Sequence, residues 1–77
     1  MKNKIIKKLE SSLLKKMNYN KKSKELILTF KNDVDYLYEN VEEELIKDFL
    51  KAESFGRFFL KNIKGKYDYK KLEKENE

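Results

Sequence analysis

Apolar and polar residues alternate most regularly in the second quarter of the chain. In Glu25–Lys31, the side chains of Leu26, Leu28 and Phe30 share one face, which is the pattern of a β-strand with one buried face. Asp35–Glu39 alternates in the same way. The polar residues between the two segments include an asparagine and an aspartate, which tolerate a positive φ. The pattern therefore predicts an antiparallel hairpin.

A further strand is predicted before this hairpin, over Leu13–Tyr19. The apolar positions 13, 14 and 17 would also suit a helix, so both interpretations stand at this point. Residues 18–24 form a polar connection rich in turn-forming residues. Residues 1–8 are basic and show no clear period. They are predicted to be a lead-in segment or a frayed helical turn.

The third predicted element is an amphipathic helix that starts near Glu42. Asn40 is a candidate cap for it, and the acidic residues 42–44 suit the positive end of the helix dipole. Val41, Leu45 and Phe49 recur every four residues and give the helix an apolar stripe.

A second helix is predicted to begin at Ser54, a residue type that favours the N-cap. Gly65 lies where a helix C-cap is expected. The buried side of this second helix is expected to hold Phe55, Phe58, Phe59 and Ile63.

Together these elements predict an α+β fold: a three-stranded antiparallel β-meander followed by two α-helices packed on one face. The 77 residues make one domain with a modest core. Its predicted extent is 9–72, after the lead-in 1–8. Beyond Tyr69 the chain is charged and has few apolar anchors, so residues 70–77 are expected to fray, with 73–77 as a charged tail.

Charge is distributed unevenly along the chain, whose formal net charge is +5. Residues 1–24 hold nine lysines and one acid, residues 25–53 hold three lysines and nine acids, and residues 54–77 hold seven basic residues and four acids. If the two basic ends converge, they form a basic patch. Eighteen of the nineteen basic residues are lysine, so an AT-rich genome is an equally good explanation for most of them. Arg57 is not explained by that bias.

Composition also restricts the chemistry. The chain has no cysteine and no histidine, which excludes disulfides, thiolate metal sites and the usual general base. Ser11 and Ser12 therefore lack a histidine partner, and no glycine-rich phosphate loop is present. We expect no enzymatic activity, no cofactor and no metal. No apolar run reaches membrane-spanning length, and the expected location is the cytoplasm.

Unusual residues concentrate in the sixteen positions from Ala52 to Tyr67, which contain four aromatic residues, both glycines and the only arginine. Arg57, beside Gly56 and near a helix N-terminus, is suited to bind an anion. The alternative is that Gly56 permits close helix packing and that Arg57 pairs with Glu53 or Asp48. Three further lysines could extend an anion-binding patch: Lys61, Lys64 and Lys66.

Tyr36 and Tyr38 share one face of their predicted strand, as aromatic residues that stack on bases would. The competing interpretation places at least one of them in the core, with its hydroxyl hydrogen-bonded. Phe55, Phe58 and Phe59 are assigned to the core.

Several ordered motifs resemble the KTSC domain family, from Leu9 to about Leu72. They are Leu9–Leu14 with its serine pair, Leu26–Asn32 ending in Phe-Lys-Asn, Tyr36–Tyr38, Ala52–Phe59 and Asn62–Tyr67. The chain departs from the family at Asp33 and Val34, where glycines are frequent, and at Glu42, where proline is common. The KTSC domain is found alone in bacterial and phage proteins and at the end of some lysyl-tRNA synthetases. The resemblance implies a suggested role in RNA binding.

The resulting expectation is a non-enzymatic module that binds a phosphate-bearing ligand, with RNA as the first choice. Phosphates would contact Arg57 and the lysines at 61, 64 and 66, Tyr36 and Tyr38 would stack or hydrogen-bond, and Ser11 and Ser12 would add polar contacts. One alternative is an oligomeric, phage-type protein that sequesters a nucleotide signal at a subunit interface. Another is a protein-protein adaptor or inhibitor that uses the acidic helix 42–51.

Overall fold

The computed structural model describes residues 3–72, which form five strands and two helices in a single sheet-and-helix arrangement. The sheet is antiparallel, and its spatial order follows the chain order from β1 to β5. The α+β class with two helices is confirmed, whereas the prediction of three strands is wrong. The elements are β1 Lys4–Lys8, β2 Leu14–Asn20, β3 Glu25–Phe30, β4 Asp35–Tyr38, α1 Glu43–Lys51, α2 Phe55–Asn62 and β5 Tyr69–Leu72.

Residues 4–8 of the segment expected to be a lead-in form the edge strand β1, which corrects the sequence interpretation. Residues 1 and 2 lie outside the described residues. The two isoleucines of β1 are adjacent, so they point to opposite faces of the sheet. Ile5 lies opposite Tyr19 on the core side, while Ile6 lies opposite Asn18 and is 62% exposed. The sequence of β1 does not alternate between apolar and polar residues, because lysines flank the two adjacent isoleucines. Hydrophobic periodicity therefore does not predict this strand. Its backbone hydrogen bonds to β2 define it instead.

A β-bulge in β2 resolves the ambiguity between helix and strand. The register of β2 against β3 shifts between Leu14 and Lys16, so Lys15 is an extra residue. The bulge lets Leu14 and Met17 both face the core, where each is fully buried, while Lys15 and Lys16 are both exposed. The three-residue separation of the buried Leu14 and Met17 therefore comes from a strand with a bulge and not from a helix.

The predicted frayed tail begins with an ordered strand. β5 pairs antiparallel with β4, and Tyr38 lies opposite Tyr69 while Asp35 lies opposite Leu72. The expectation of fraying from residue 70 is thus wrong for residues 70–72, because pairing with β4 supplies what the local sequence lacks. The predicted tail 73–77 lies outside the described residues.

The turns agree in part with the sequence prediction. Asp33 adopts a φ of 67° in the β3–β4 turn, which the amide of Phe30 closes by donating to the carbonyl of Val34. Asn40 was expected to cap α1 but does not. It adopts a φ of 59°, and the N-cap is Glu42, whose side chain makes no capping hydrogen bond. Asparagine tolerates this left-handed conformation better than most residues, so its role is to turn the chain.

Both helices cover the face of the sheet that carries the alternating apolar residues of β3. Tyr19 is fully buried in this core, and its hydroxyl donates to the carbonyl of Val41 at 2.5 Å. The buried hydrophobic residues form one cluster: Leu9, Leu14, Met17, Tyr19, Leu26, Leu28, Tyr38, Val41, Ile46, Phe49, Phe59 and Ile63.

Helix α2 begins as predicted. The Ser54 hydroxyl accepts a hydrogen bond from the Arg57 amide at 3.3 Å. The helix ends at Asn62, and a turn follows in which the Lys66 amide donates to the Ile63 carbonyl. Gly65 lies in this turn with a φ of 77°, a conformation that side chains with a Cβ rarely adopt.

Candidate nucleic-acid interface

An aromatic groove of about 420 Å³ runs between α2 and the last two strands of the sheet. The side chains of β4 contribute to its floor because positions 36 and 38 face the helices. Phe59 and Leu60 of α2 form its wall. The lining residues are Leu13, Phe30, Tyr36, Tyr38, Phe59, Leu60, Lys64, Gly65 and Tyr69.

The aromatic rings of this groove contact one another, edge to face in every pair except Tyr38–Tyr69, whose planes are tilted by 32°. Phe30 packs against Tyr36 and Phe59 with ring centroids 5.5 and 5.3 Å apart, and both pairs are nearly perpendicular. Tyr69 contacts Tyr36 and Tyr38 at 5.7 Å each. Contacts of this kind hold aromatic rings in fixed orientations, so the groove presents a preformed aromatic surface.

The two tyrosines of β4 differ in accessibility. Tyr38 is 5% exposed and packs against Phe59, so it belongs to the core. Burial, assisted by the neighbouring Tyr69 and Tyr36, raises the pKa of Tyr38 to about 12. Tyr36 is half-buried, and Tyr69 is 59% exposed. The surface open to a stacking partner is therefore formed by Tyr36 and Tyr69.

Several cationic side chains lie on or near α2. Lys64 lines the groove directly, in the turn after the helix. Arg57 and Lys61, four residues apart, are exposed on one side of α2. Lys71 lies opposite Tyr36 on β5, on the helix-covered side of the sheet. Lys66 is exposed in the turn after α2.

These cations are not neutralised by neighbours. Within residues 3–72, the ion pairs involve four other lysines, at positions 15, 21, 24 and 70. The alternative interpretation of Arg57, an ion pair with Glu53 or Asp48, is therefore not observed in the described chain. A row of unpaired positive charge beside an aromatic groove suits an anionic, aromatic ligand.

Ser11 and Gly56 are two predicted site residues that have structural roles beside the start of β2 and do not line the groove. The Ser11 hydroxyl accepts hydrogen bonds from the amides of Leu13 and Leu14. Gly56 is buried, and a Cβ built there would lie 3.4 Å from both the Leu13 Cβ and the Ser11 Oγ. Gly56 thus allows α2 to approach this loop closely. Ser12 is exposed.

The helix N-terminus contributes less than the sequence suggested. The Arg57 amide is already bound by Ser54, and Phe58 donates to the Ser54 carbonyl. Arg57 is exposed on the surface, so its side chain, and not its backbone amide, is accessible to an anion.

Sequence analysis missed Leu13, Leu60, Tyr69 and Lys71 as neighbours of the groove. Lys71 lies in the segment 70–77 that is expected to fray, and Tyr69 immediately precedes that segment. The available signal was the alternation of Tyr67 and Tyr69 just before residue 70. Leu60 is 53% exposed on α2, and a single exposed leucine gives no signal in the sequence.

The acidic helix is partly neutralised within the chain. Lys24 pairs with Glu42 at 3.3 Å, and Lys21 pairs with Glu43 at 3.6 Å. Both ion pairs join the β2–β3 turn to the start of α1. They leave Glu44 and Asp48 as the acidic residues of α1 without an ion-pair partner among residues 3–72.

Neither a metal site nor a membrane span is found in the part of the chain that the structure describes. No group of three acidic residues there could hold a metal ion. None of its helices is long and apolar enough to cross a bilayer.

The fold and groove define a small domain in which two helices cover one face of a five-stranded antiparallel meander. The sequence profile of the KTSC domain matches residues 10–67, and the chain belongs to the KTSC domain family. It is similar to the crystal structure of a KTSC domain protein from Yersinia pestis, with a TM-score of 0.86 and 30% identity over 91% of this chain and 99% of that chain. No curated protein matches the chain significantly.

Proposed function

We propose that this protein is a non-enzymatic module that binds a phosphate-bearing ligand, with single-stranded RNA as the ligand. The observation that supports this most directly is the aromatic groove with Tyr36 and Tyr69 accessible and Lys64 at its rim. The charged residue that lines the groove is cationic, so a base can enter while its phosphate stays beside the lysine.

The chemistry of single-stranded RNA suits such a groove. Unpaired bases stack on exposed aromatic rings, and each stacked base contributes about 1–3 kcal/mol. Tyr69 offers an open ring, and Tyr36 lies beside it at 5.7 Å. Buried Tyr38 supports Tyr69 from the core side, so its role is to orient the open ring.

The unpaired cations would contact the phosphates. Lys64 lines the groove after α2, and Lys71 on β5 lies opposite the groove residue Tyr36. Arg57 and Lys61 continue the positive edge along α2, and Lys66 lies beyond it. Each neutralised phosphate of a single strand lowers the logarithm of the affinity by about 0.7 per tenfold increase in salt.

Fluorescence anisotropy with labelled short RNAs, single-stranded and duplex, tests the proposal. We expect Tyr69→Ala to weaken binding of the single strand about 5- to 150-fold, from the loss of one stacking contact. Lys64→Ala should reduce the salt slope by about 0.7. Lys22→Ala is the matched control, since it removes the same charge from the exposed β2–β3 turn, outside the groove.

Three results would contradict the proposal: an affinity that does not change with salt, equal losses in Lys64→Ala and Lys22→Ala, or preference for the duplex. Native mass spectrometry with RNAs and small nucleotides identifies the size of the ligand. If mononucleotides bind at defined stoichiometry and RNA does not, the ligand is a nucleotide, and the alternative of sequestration replaces RNA binding.

A further inference from the structure

The face of the sheet opposite the helices is a second, independent surface. Side chains alternate between the two faces of a sheet, so the register assigns a row of five to this outer face across all strands. The row runs Ile6, Asn18, Ile27, Leu37 and Lys70, from β1 to β5. No helix in residues 3–72 packs on it, because both helices lie on the core side.

A second outer row carries basic residues on β1 and β2 and an acidic residue on β4. It runs Lys8, Lys16, Thr29, Asp35 and Leu72. The bulge adds Lys15 to the basic end. Lys8 and Lys16 have no ion-pair partner within the described chain, and neither has Asp35. The outer face is therefore basic over β1 and β2 and acidic at β4.

Asp35 is the least satisfied side chain of this face. Its Oδ1 atom is buried and accepts no hydrogen bond from the described residues. A carboxylate in such a place is costly unless a cation lies nearby. Lys8, Lys15 and Lys16 line the same cavity of about 310 Å³ as Asp35, but none of them forms an ion pair with it among the described residues. A lysine of a second chain would reduce this cost.

We infer that the outer face is the interface of a homodimer in which two sheets stack face to face. The two-fold axis runs parallel to the strands and passes over β3. This rotation places β1 over β5 of the second copy and β2 over its β4, and it keeps each row above its own equivalent. Lys16 then lies over Asp35 of the second copy, and Ile27 lies over its own equivalent.

A second copy is the occupant because the face is complementary to itself in charge. The rotation places Lys16 of each copy over Asp35 of the other, twice per dimer. It also brings the apolar centre, Ile27 and Leu37, between the two layers, where aligned sheets pack about 10 Å apart. The aromatic groove is on the opposite face, so this inference does not depend on RNA binding.

The size of the face sets the expected strength of the dimer. Five strands spaced about 4.8 Å apart give a width of roughly 24 Å, and the paired strands extend roughly 17 Å. The resulting area of roughly 400 Å² per copy is below the ~800 Å² of a typical stable complex. We therefore expect a dimer with a dissociation constant in the micromolar range.

Two charge-reversal variants, measured separately and as a mixture, test the proposed homodimer. Sedimentation equilibrium is measured from about 1 to 500 µM, a range chosen to bracket such an interface. We expect the unmodified protein to dimerise, Lys16→Glu and Asp35→Lys each to be monomeric, and an equal mixture of the two variants to dimerise. An ion pair inside one chain cannot produce this rescue by mixing. Lys47→Glu, which reverses an exposed charge on α1, is the matched control.

A second measurement does not depend on charge. The chain has no cysteine, so Ile27→Cys places one thiol on the proposed axis. A short bis-maleimide should link two Ile27→Cys chains and fail to link Lys47→Cys chains. Circular dichroism confirms that each variant is folded. The inference is overturned if the unmodified protein is monomeric throughout, if the mixture remains monomeric, or if both cysteine variants link equally.

Discussion

Among single residues, Tyr19 makes the contact that joins the sheet to the start of α1. Its ring is fully buried on β2, and its hydroxyl donates to the carbonyl of Val41 just before the helix. Sequence analysis places Tyr19 at the end of a predicted strand, and the structure places it on β2. The partner of the hydroxyl could not be predicted, because it lies 22 residues away and depends on the left-handed turn at Asn40.

Tyr19→Phe should lower the free energy of unfolding by about 1–2 kcal/mol, because the Val41 carbonyl is left buried without its donor. Urea unfolding followed by circular dichroism measures this change. Tyr69→Phe is the matched control, since its ring is 59% exposed, and it should change stability by less than about 0.5 kcal/mol. Equal effects of the two substitutions would contradict the assigned role.

Tyr38 makes stability fall at high pH. Its pKa is raised to about 12, mainly by burial, whereas an unfolded tyrosine titrates near 10. As the pH rises above about 10, the unfolded state loses this proton while the native state keeps it. The native state then binds more protons, so the free energy of unfolding decreases until the pH reaches about 12, by about 2 kcal/mol in total.

The measurement is the urea midpoint between pH 8 and pH 12 for the unmodified protein and for Tyr38→Phe. The variant should lose less stability over this range, since it has no phenol at position 38. Burial also raises the pKa of Tyr19, with Glu43 and Glu42 adding to the shift, but this contribution is shared by both proteins. Parallel pH profiles would show that Tyr38 is not responsible.

At the scale of elements, prediction succeeded where a segment carries its own pattern. β3 alternates cleanly, and Ser54 begins α2 as expected. β1 and β5 were missed because each is an edge strand rich in lysine whose structure comes from pairing with its neighbour. For the same reason, sequence analysis found Tyr36 and Lys64 but not the residues of β5 that complete the groove.

The bulge in β2 gives a prediction about deletions. Removing Lys15 leaves Leu14 and Met17 on the core face, because the strand then alternates regularly through Lys16. This variant should fold, with a loss of about 1 kcal/mol from the hydrogen bond that the Lys15 carbonyl accepts from Leu9.

Removing Asn18 is the matched deletion. It makes Met17 and Tyr19 adjacent, so one of these two fully buried side chains must point outward. Circular dichroism and urea unfolding should show a cooperative transition for the Lys15 deletion and none for the Asn18 deletion. Loss of folding in both would mean that the bulge itself is required.

At the scale of the whole molecule, β5 covers an otherwise open edge of the sheet. It pairs with β4 and places Tyr69 against Tyr36 and Tyr38. Truncation after Asp68 should therefore lower the free energy of unfolding by several kcal/mol, from the lost strand pairing and the exposed aromatic rings.

Truncation after Leu72 is the control, because it retains all five described strands, and it should unfold as the complete chain does. Differential scanning calorimetry compares the two. If both truncations retain the same melting temperature, the β4–β5 pairing contributes no stability.

The position of β5 in the chain also has a consequence for the order of folding. The first four strands are joined by short connections, but Tyr38 and its partner Tyr69 are separated by both helices. Closing this longer loop costs more chain entropy than forming the local hairpins. During synthesis, the edge of β4 therefore stays unpaired until β5 has been made. An unpaired strand edge is a site of association with other chains. In stopped-flow experiments, Tyr69→Ala should accordingly speed unfolding and leave the refolding rate unchanged.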